Sequence, residues 1–442
     1  MTGSNQEPTA QVSVSDEQTV AQTEQKGSEN QQNQSEQQKT ETPVERVSVG
    51  EESVVELLDR IVWEALKAKA SDVHIEPGEK DVVVRYRVDG MLREVLTVDK
   101  NMEQGLVFRI KVAAKLLTDQ HFAPQDGRIR FIFEDKKLDT RISILPTSKG
   151  EKTVIRLLTQ EGKSFALEDL GLKDRQLEII QKAYIKPYGM ILATGPTGSG
   201  KTTTLYSILK IINTREKNIT TIEDPVEYDI DGVNHVQINV KANLTFANGL
   251  RSILRQDPDI VMVGEIRDSE TAKIAINAAM TGHLVLSTLH TNDAITTIPR
   301  LFDMGVEAFL VASTLNVVVA QRLARKLCEK CRLTFRLTEA DYNKIKSIRP
   351  DIAKLIKIGE TYYKENKCEE CNTGYKGRIG IYEILEVTEA IREIIARVSN
   401  ADEIFNAARK EGMELMIEDG VKKVAAGITS LSELIRITAL KE

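Results

Sequence analysis

Apolar positions along this chain follow two rhythms, and the change from one to the other marks out its elements. Val54, Leu58, Ile61, Val62 and Ala65 fall on one helical face, and Ser53 stands where an N-cap belongs. After the stretch 70–77 comes a strand-like run at 82–88 and the turn Asp89-Gly90. A helical stretch at about 103–117 leads to Gln125-Asp126-Gly127-Arg128. Further strand-like runs lie at 129–133, at 138–145 ending at Pro146, and at 154–158. Together these predict an α+β domain over 51–158. Ahead of it, residues 1–50 hold no Phe, Trp or Tyr and are rich in Gln, Ser, Thr, Glu and Asn. Such a segment cannot bury enough apolar surface to offset its ordering entropy, so it is expected as a disordered polar tail, either a solvated tether or a Gln-rich interaction tail.

A linker is expected over 159–175, then a helix at 175–184. The apolar run Met190-Ile191-Leu192-Ala193 reads as a strand, and Leu205, Ile208, Leu209 and Ile212 as the buried face of a helix. Buried strands are also expected at 219–222, at Ile260-Val261-Met262-Val263 and across 281–294. Alternating strands and helices of this kind define an α/β domain, set at 176–327. The remainder divides into a cysteine-containing module at 328–375 and amphipathic helical runs over 376–442. Within the module, 338–348 and 352–358 read helical, with Thr338 as N-cap and Pro350 between them.

Composition narrows this little. A chain of 442 residues suggests about three domains. Its 41% hydrophobic and 29% charged content is ordinary for a globular protein. The net charge of −6 gives no global reason to expect a nucleic-acid partner. No apolar run approaches the roughly 18 residues of a membrane span, and no secretory leader is expected.

The chemistry sits in the loops. Gly195-Pro196-Thr197-Gly198-Ser199-Gly200-Lys201-Thr202, followed by Thr203, fits the phosphate-binding pattern G-x-x-x-x-G-K-[ST] between a strand and a helix. Its glycines let backbone N–H groups converge on phosphate oxygens, Lys201 reaches the β- and γ-phosphates, and the Thr202 hydroxyl holds Mg²⁺. Glu223, at the end of the 219–222 strand, is a candidate to orient or deprotonate the attacking water. Four apolar residues and then Gly264-Glu265 match the second nucleotide motif, with Glu265 in place of the usual Asp near Mg²⁺. His283 and His290 are separated by seven, which in one strand puts them on opposite faces and speaks against a shared metal. His290 is read as a sensor that hydrogen-bonds the γ-phosphate or the water network, and His283 equally well as structural. Ahead of this domain Arg85, Arg87, Arg109, Arg128, Arg141 and Arg156 recur on or beside the predicted elements. Surface solubility accounts for most of them, but one of them could act on a neighbour's nucleotide.

Cys328-x-x-Cys331 and Cys368-x-x-Cys371 flank 36 residues. Two such knuckles can close one tetrahedral Cys₄ zinc site in a reducing compartment, with a redox pair or disulfide as the other reading.

The stretches 70–77, 85–90, 125–128, 195–206, 222–227, 254–268, 281–294 and 321–323 come in the same order as in a known family. With them the chain resembles the bacterial secretion ATPases of type II secretion and type IV pilus assembly from about 51 to 442. The resemblance implies a RecA-like core, Glu223 as the catalytic residue of an acidic box, Glu265 in an atypical Walker B motif, and a histidine box at 281–290. It implies a homohexameric ring with ATP between the N-terminal and RecA-like domains, reached on closure by Arg85, Arg87, Arg128 and Arg141. It also implies a cytoplasmic protein at the inner face of the membrane, partnered by an inner-membrane platform protein. Assembly is favoured over retraction, since retraction motors generally lack the tetracysteine insertion. DNA uptake and an ATP-binding zinc scaffold are the other readings. Members usually carry a folded N-terminal docking domain. A polar tail stands there instead, so the usual docking partner is not carried over.

Overall fold

The computed structural model describes residues 45–48, 52–133, 136–158, 166–227, 229–371, 373–397 and 400–439. Two mixed layers carry the chain. The first comprises β1 (Glu45–Val47), α1 (Val54–Lys67), β2 (Asp72–Pro77), β3 (Asp81–Val88), β4 (Met91–Asp99), α2 (Glu103–Ala113), β5 (Gln125–Phe133), β6 (Lys136–Thr147) and β7 (Gly150–Leu158). Its strands lie in the order β1-β4-β3-β2-β7-β6-β5, antiparallel throughout except for β1 on β4. Ser53 caps α1 in a capping box with Glu56, as its position suggested. Along β3, Val82, Val84 and Tyr86 turn inward, so the period of two sends Arg85 and Arg87 to the other face.

Three expectations change here. Chain order begins earlier than residue 51, because Glu45–Val47 completes the edge beside β4 and buries Val47. The rest of the expected tail, 1–44 and 49–50, lies outside the described residues, as does 159–165 of the expected linker. Leu167 and Leu172, in the remainder of that linker, are buried. Finally, β6 continues through Pro146. Beyond Ile144 it pairs with β7 alone, so the missing proline N–H faces no partner strand.

The second layer follows as α3 (Asp174–Ile185), β8 (Gly189–Thr194), α4 (Lys201–Ile212), β9 (Ile219–Glu223), β10 (Val233–Gln237), α5 (Phe246–Ile253), β11 (Ile260–Val263), α6 (Ser269–Met280), β12 (Leu284–Leu289), α7 (Thr297–Asp303), α8 (Ala308–Thr314) and β13 (Leu315–Leu327). Next come β14 (Leu333–Arg336), α9 (Glu339–Ile348), α10 (Pro350–Ala353), β15 (Thr361–Lys364) and β16 (Tyr375–Glu386). Then α11 (Glu389–Ala396), α12 (Ala401–Lys410), α13 (Met416–Ala425) and α14 (Leu431–Thr438) close the chain. The sheet runs β10-β9-β11-β12-β8-β13-β16, parallel up to β13, with β16 antiparallel at the end.

Every residue of β8, β9, β11 and β12 is buried because helices cover both faces. Met190 and Leu192 join the core on one side, and Ile191 and Ala193 the core on the other. Residues 376–386, expected at the start of a helical segment, instead form most of β16, and helices begin only at Glu389. Its run Ile379 to Leu385 is apolar enough for either element, and pairing with β13 decides for strand. The second helical piece of the cysteine module shortens to Pro350–Ala353. Leu337 and Ile352 of that module join the core of the second sheet. Among the described residues no helix is long and apolar enough to cross a membrane.

Candidate nucleotide site

Because β8, β9, β11 and β12 run parallel, their carboxyl ends deliver four loops to one side of the sheet. The loop after β8 needs its glycines: Gly195, Gly198 and Gly200 adopt φ of 144°, 78° and 92°, and Gly200 caps α4 in the left-handed region. A Cβ on Gly195 would lie 2.5 Å from the Gln321 carbonyl oxygen. Lys201 folds back, its Nζ donating to the carbonyls of Gly195 (2.8 Å) and Pro196 (3.1 Å). Burial pushes its ammonium down to about 8, against the pull of nearby Glu265. The Ser199 Oγ is buried without a hydrogen-bond partner among the described residues. A tight backbone cradle, a desolvated lysine, an unused hydroxyl and the N-terminus of a twelve-residue helix together fit a polyphosphate. Thr202 and Thr203 stand partly exposed on the first turn.

From β13, Gln321 buttresses the loop. Its Nε2 donates to the Ser199 carbonyl at 2.8 Å and its Oε1 accepts from the Thr204 hydroxyl at 2.9 Å. Arg322 lies alongside, donating to the carbonyls of Gln321 and Asn292.

Glu265, just past β11, has its Oε1 2.5 Å from Arg267 and its Oε2 3.4 Å from His290 Nε2. The structure thus brings Glu265 and His290 together, on the side of the sheet that carries Lys201. His283 sits at the other end of β12, where its Nδ1 is 2.9 Å from the Ala278 carbonyl, a structural setting. Both histidines flank the strand instead of lying in it, so the strand-face argument about them does not apply.

Glu223 ends β9 as expected, yet its carboxylate is withdrawn from solvent. The residue is 2% exposed, Oε1 accepts from the Thr221 hydroxyl at 2.5 Å and faces His235 Nδ1 at 2.8 Å, and Oε2 accepts from the Tyr206 hydroxyl.

The arginines divide into two groups. Arg85 pairs with Glu76, and Arg87 lies 3.6 Å from Asp72, which Arg156 also holds at 2.9 Å. Arg128 donates to Gln237 Oε1 at 2.5 Å and Arg141 to the Val226 carbonyl at 2.8 Å, so both reach the second layer beside Glu223. In this conformation the partners described for all four lie away from the phosphate loop.

Sequence reasoning assigned no role to Gln321, Arg322, Arg267, Tyr206 or His235. Gln321, Arg322, Tyr206 and Arg267 stood in matching stretches without a role of their own, and His235 lies outside those stretches and is placed by strand order alone.

The four cysteine sulfurs lie within 4.8 Å of one another, with Cys328–Cys368 at 3.8 Å and Cys331–Cys371 and Cys368–Cys371 at 3.5 Å. A tetrahedral zinc with Zn–S bonds of about 2.3 Å requires sulfur separations of about 3.8 Å, so the set fits. Burial raises the Cys371 thiol, but hydrogen bonds from the Cys368 backbone, from the Cys368 and Cys331 sulfhydryls and from the Gly374 N–H outweigh it and bring that thiol down to about 6.

Sheet order and loop define a RecA-like P-loop protein. Residues 47–436 match the family described as Type II/IV secretion system protein, and the chain belongs to it. Over 386 residues it is 46% identical to the type II secretion system protein E of Pseudomonas aeruginosa, covering 87% of this chain and 75% of that one. Over 390 residues it is 45% identical to the type IV pilus assembly ATPase PilB of Acinetobacter baylyi, covering 88% and 67%. The crystal structure of the pilus retraction motor PilT with bound ADP superposes with a TM-score of 0.59 at 27% identity, over 86% of this chain and 96% of that one.

Proposed function

We propose that this protein is an ATP-hydrolysing motor that assembles pilin-like subunits in type IV pilus biogenesis or type II secretion. It works as a homohexamer at the cytoplasmic face of the inner membrane, against a platform protein, without direct nucleic-acid contact. The observation that carries the ATPase reading is the glycine loop with buried Lys201 at the N-terminus of α4, on the side of the sheet where Glu265 meets His290.

In this reading residues 195–203 cradle the phosphates, and Thr202 and Glu265 hold Mg²⁺, which offsets charge on the β- and γ-phosphates. Glu223 orients water once it is released from its buried partners. His290 senses the γ-phosphate. Arg85, Arg87, Arg128 and Arg141 supply positive charge as the two layers close. Separate hydrophobic cores in the two layers support such a motion, since polar contacts such as Arg128–Gln237 and Arg141–Val226 join them. The moving units are residues 51–158 and 176–327. Cys328, Cys331, Cys368 and Cys371 bind structural zinc, whose closed thiolate set leaves no position for chemistry.

The test is Glu265→Gln in the full chain. ATP should still bind, while phosphate release falls by about 10²-fold or more. Ordinary turnover in that variant rejects the scheme.

A further inference from the structure

A carboxylate that activates water needs a lone pair open to that water, and Glu223 is buried away from solvent. Its two oxygens are enclosed by three side chains from three elements: Tyr206 on α4, Thr221 on β9 itself and His235 on β10. We propose that His235 is a positioning residue which, with Tyr206, latches Glu223 in a withdrawn state. This rests on the reading of Glu223 as the water-orienting group.

The hydrogen bonds define how the latch is wired. His235 Nε2 accepts from the Ile230 backbone N–H at 3.2 Å, so the proton of the neutral ring resides on Nδ1. That N–H points at Glu223 Oε1, 2.8 Å away, and at the Thr221 hydroxyl, 2.9 Å away. A neutral imidazole therefore ties the backbone at residue 230 to the carboxylate without needing a second proton. From α4, whose first residue is Lys201, Tyr206 donates to the other oxygen. The latch thus spans the helix that carries the phosphate loop and the segment that follows Glu223.

The N-terminal layer grips that same segment at two points. Arg141 donates to the Val226 carbonyl, three residues after Glu223, and Arg128 to the Gln237 side chain, two residues after His235. A shift of that layer bears directly on the distance between His235 and Glu223. Glu223 is then released when the layers move, and hydrolysis is restrained when they do not.

Phosphate release and ATP affinity of the purified full chain test this in six forms: wild type, His235→Ala, His235→Asn, Tyr206→Phe, Glu223→Gln and Glu223→Gln combined with His235→Ala. If most molecules hold Glu223 latched, His235→Ala and Tyr206→Phe should each raise kcat about three- to tenfold with KM within about twofold. His235→Asn, which keeps an N–H donor near the Nδ1 position, should return kcat toward wild type. Glu223→Gln should abolish turnover alone and combined with His235→Ala. Folded His235→Ala and Tyr206→Phe with kcat at or below wild type, beside an inactive Glu223→Gln, overturn the latch and leave the catalytic reading standing. An active Glu223→Gln overturns the catalytic reading and the latch with it. Should His235→Ala fail to fold, Tyr206→Phe, which loses one hydroxyl, decides.

Discussion

Lys201 shows how a single residue is prepared for its ligand. Burial holds its ammonium at about 8 instead of the ordinary 10.5 in the free protein. Between those values the unfolded chain binds more protons than the folded one, so stability rises with pH across that window and the cost is fully present below it. Phosphate oxygens favour the charged form. Affinity for a fluorescent ATP analogue should therefore be level below pH of about 8 and weaken above it, approaching about one decade per unit. A level response up to pH of about 9.5 would show that Lys201 carries no such linkage. Lys201 and Glu265 were legible in the sequence because their neighbours in the chain form recognisable loops. Tyr206 and His235 were not, because each acquires its role from a partner on another element.

At the scale of elements, β13 and β16 tie the nucleotide loop to the C-terminal third. Gln321 on β13 supports the loop from below, and Glu383 on β16 accepts from the N–H groups of Ala294 and Met416. Burial raises the Glu383 carboxyl above its usual range, although both bonds oppose the shift. The cysteine module leads off from β13 and returns into β16, and shares their core through Leu337 and Ile352. Freshly purified, reduced protein should hold about one zinc per chain, and Cys368→Ser should lose it and open residues 328–375 to protease. Metal analysis finding none in wild type rejects the zinc reading. The two knuckles were plain in the sequence. That β16 is a strand was not, because a continuous apolar run suits a buried helix equally well until its partner is known.

For the whole molecule, the decisive feature is that two layers with separate cores meet through polar contacts. Besides the contacts of Arg128 and Arg141, Arg93 lies 3.4 Å from the Thr373 hydroxyl, and the Gly377 N–H donates to Asp89 at 3.2 Å. Such contacts break and reform at low cost, as a closing device requires. If neighbouring subunits complete each site, phosphate release per chain should climb with protein concentration through the assembly range. Equal specific activity in a dilute monomer would contradict a shared site.

The sequence alone determined the phosphate loop, the acidic residues at strand ends, the paired knuckles and the family resemblance. Each is a short-range pattern whose chemistry depends on spacing along the chain. Only the tertiary structure decided which of them meet. Parallel strand order brings Glu265 and His290 together on the side of the sheet that carries Lys201, while the same order places His235 and Tyr206 around Glu223 and withdraws it. Long-range pairing selects those neighbours, and a local pattern carries no record of it.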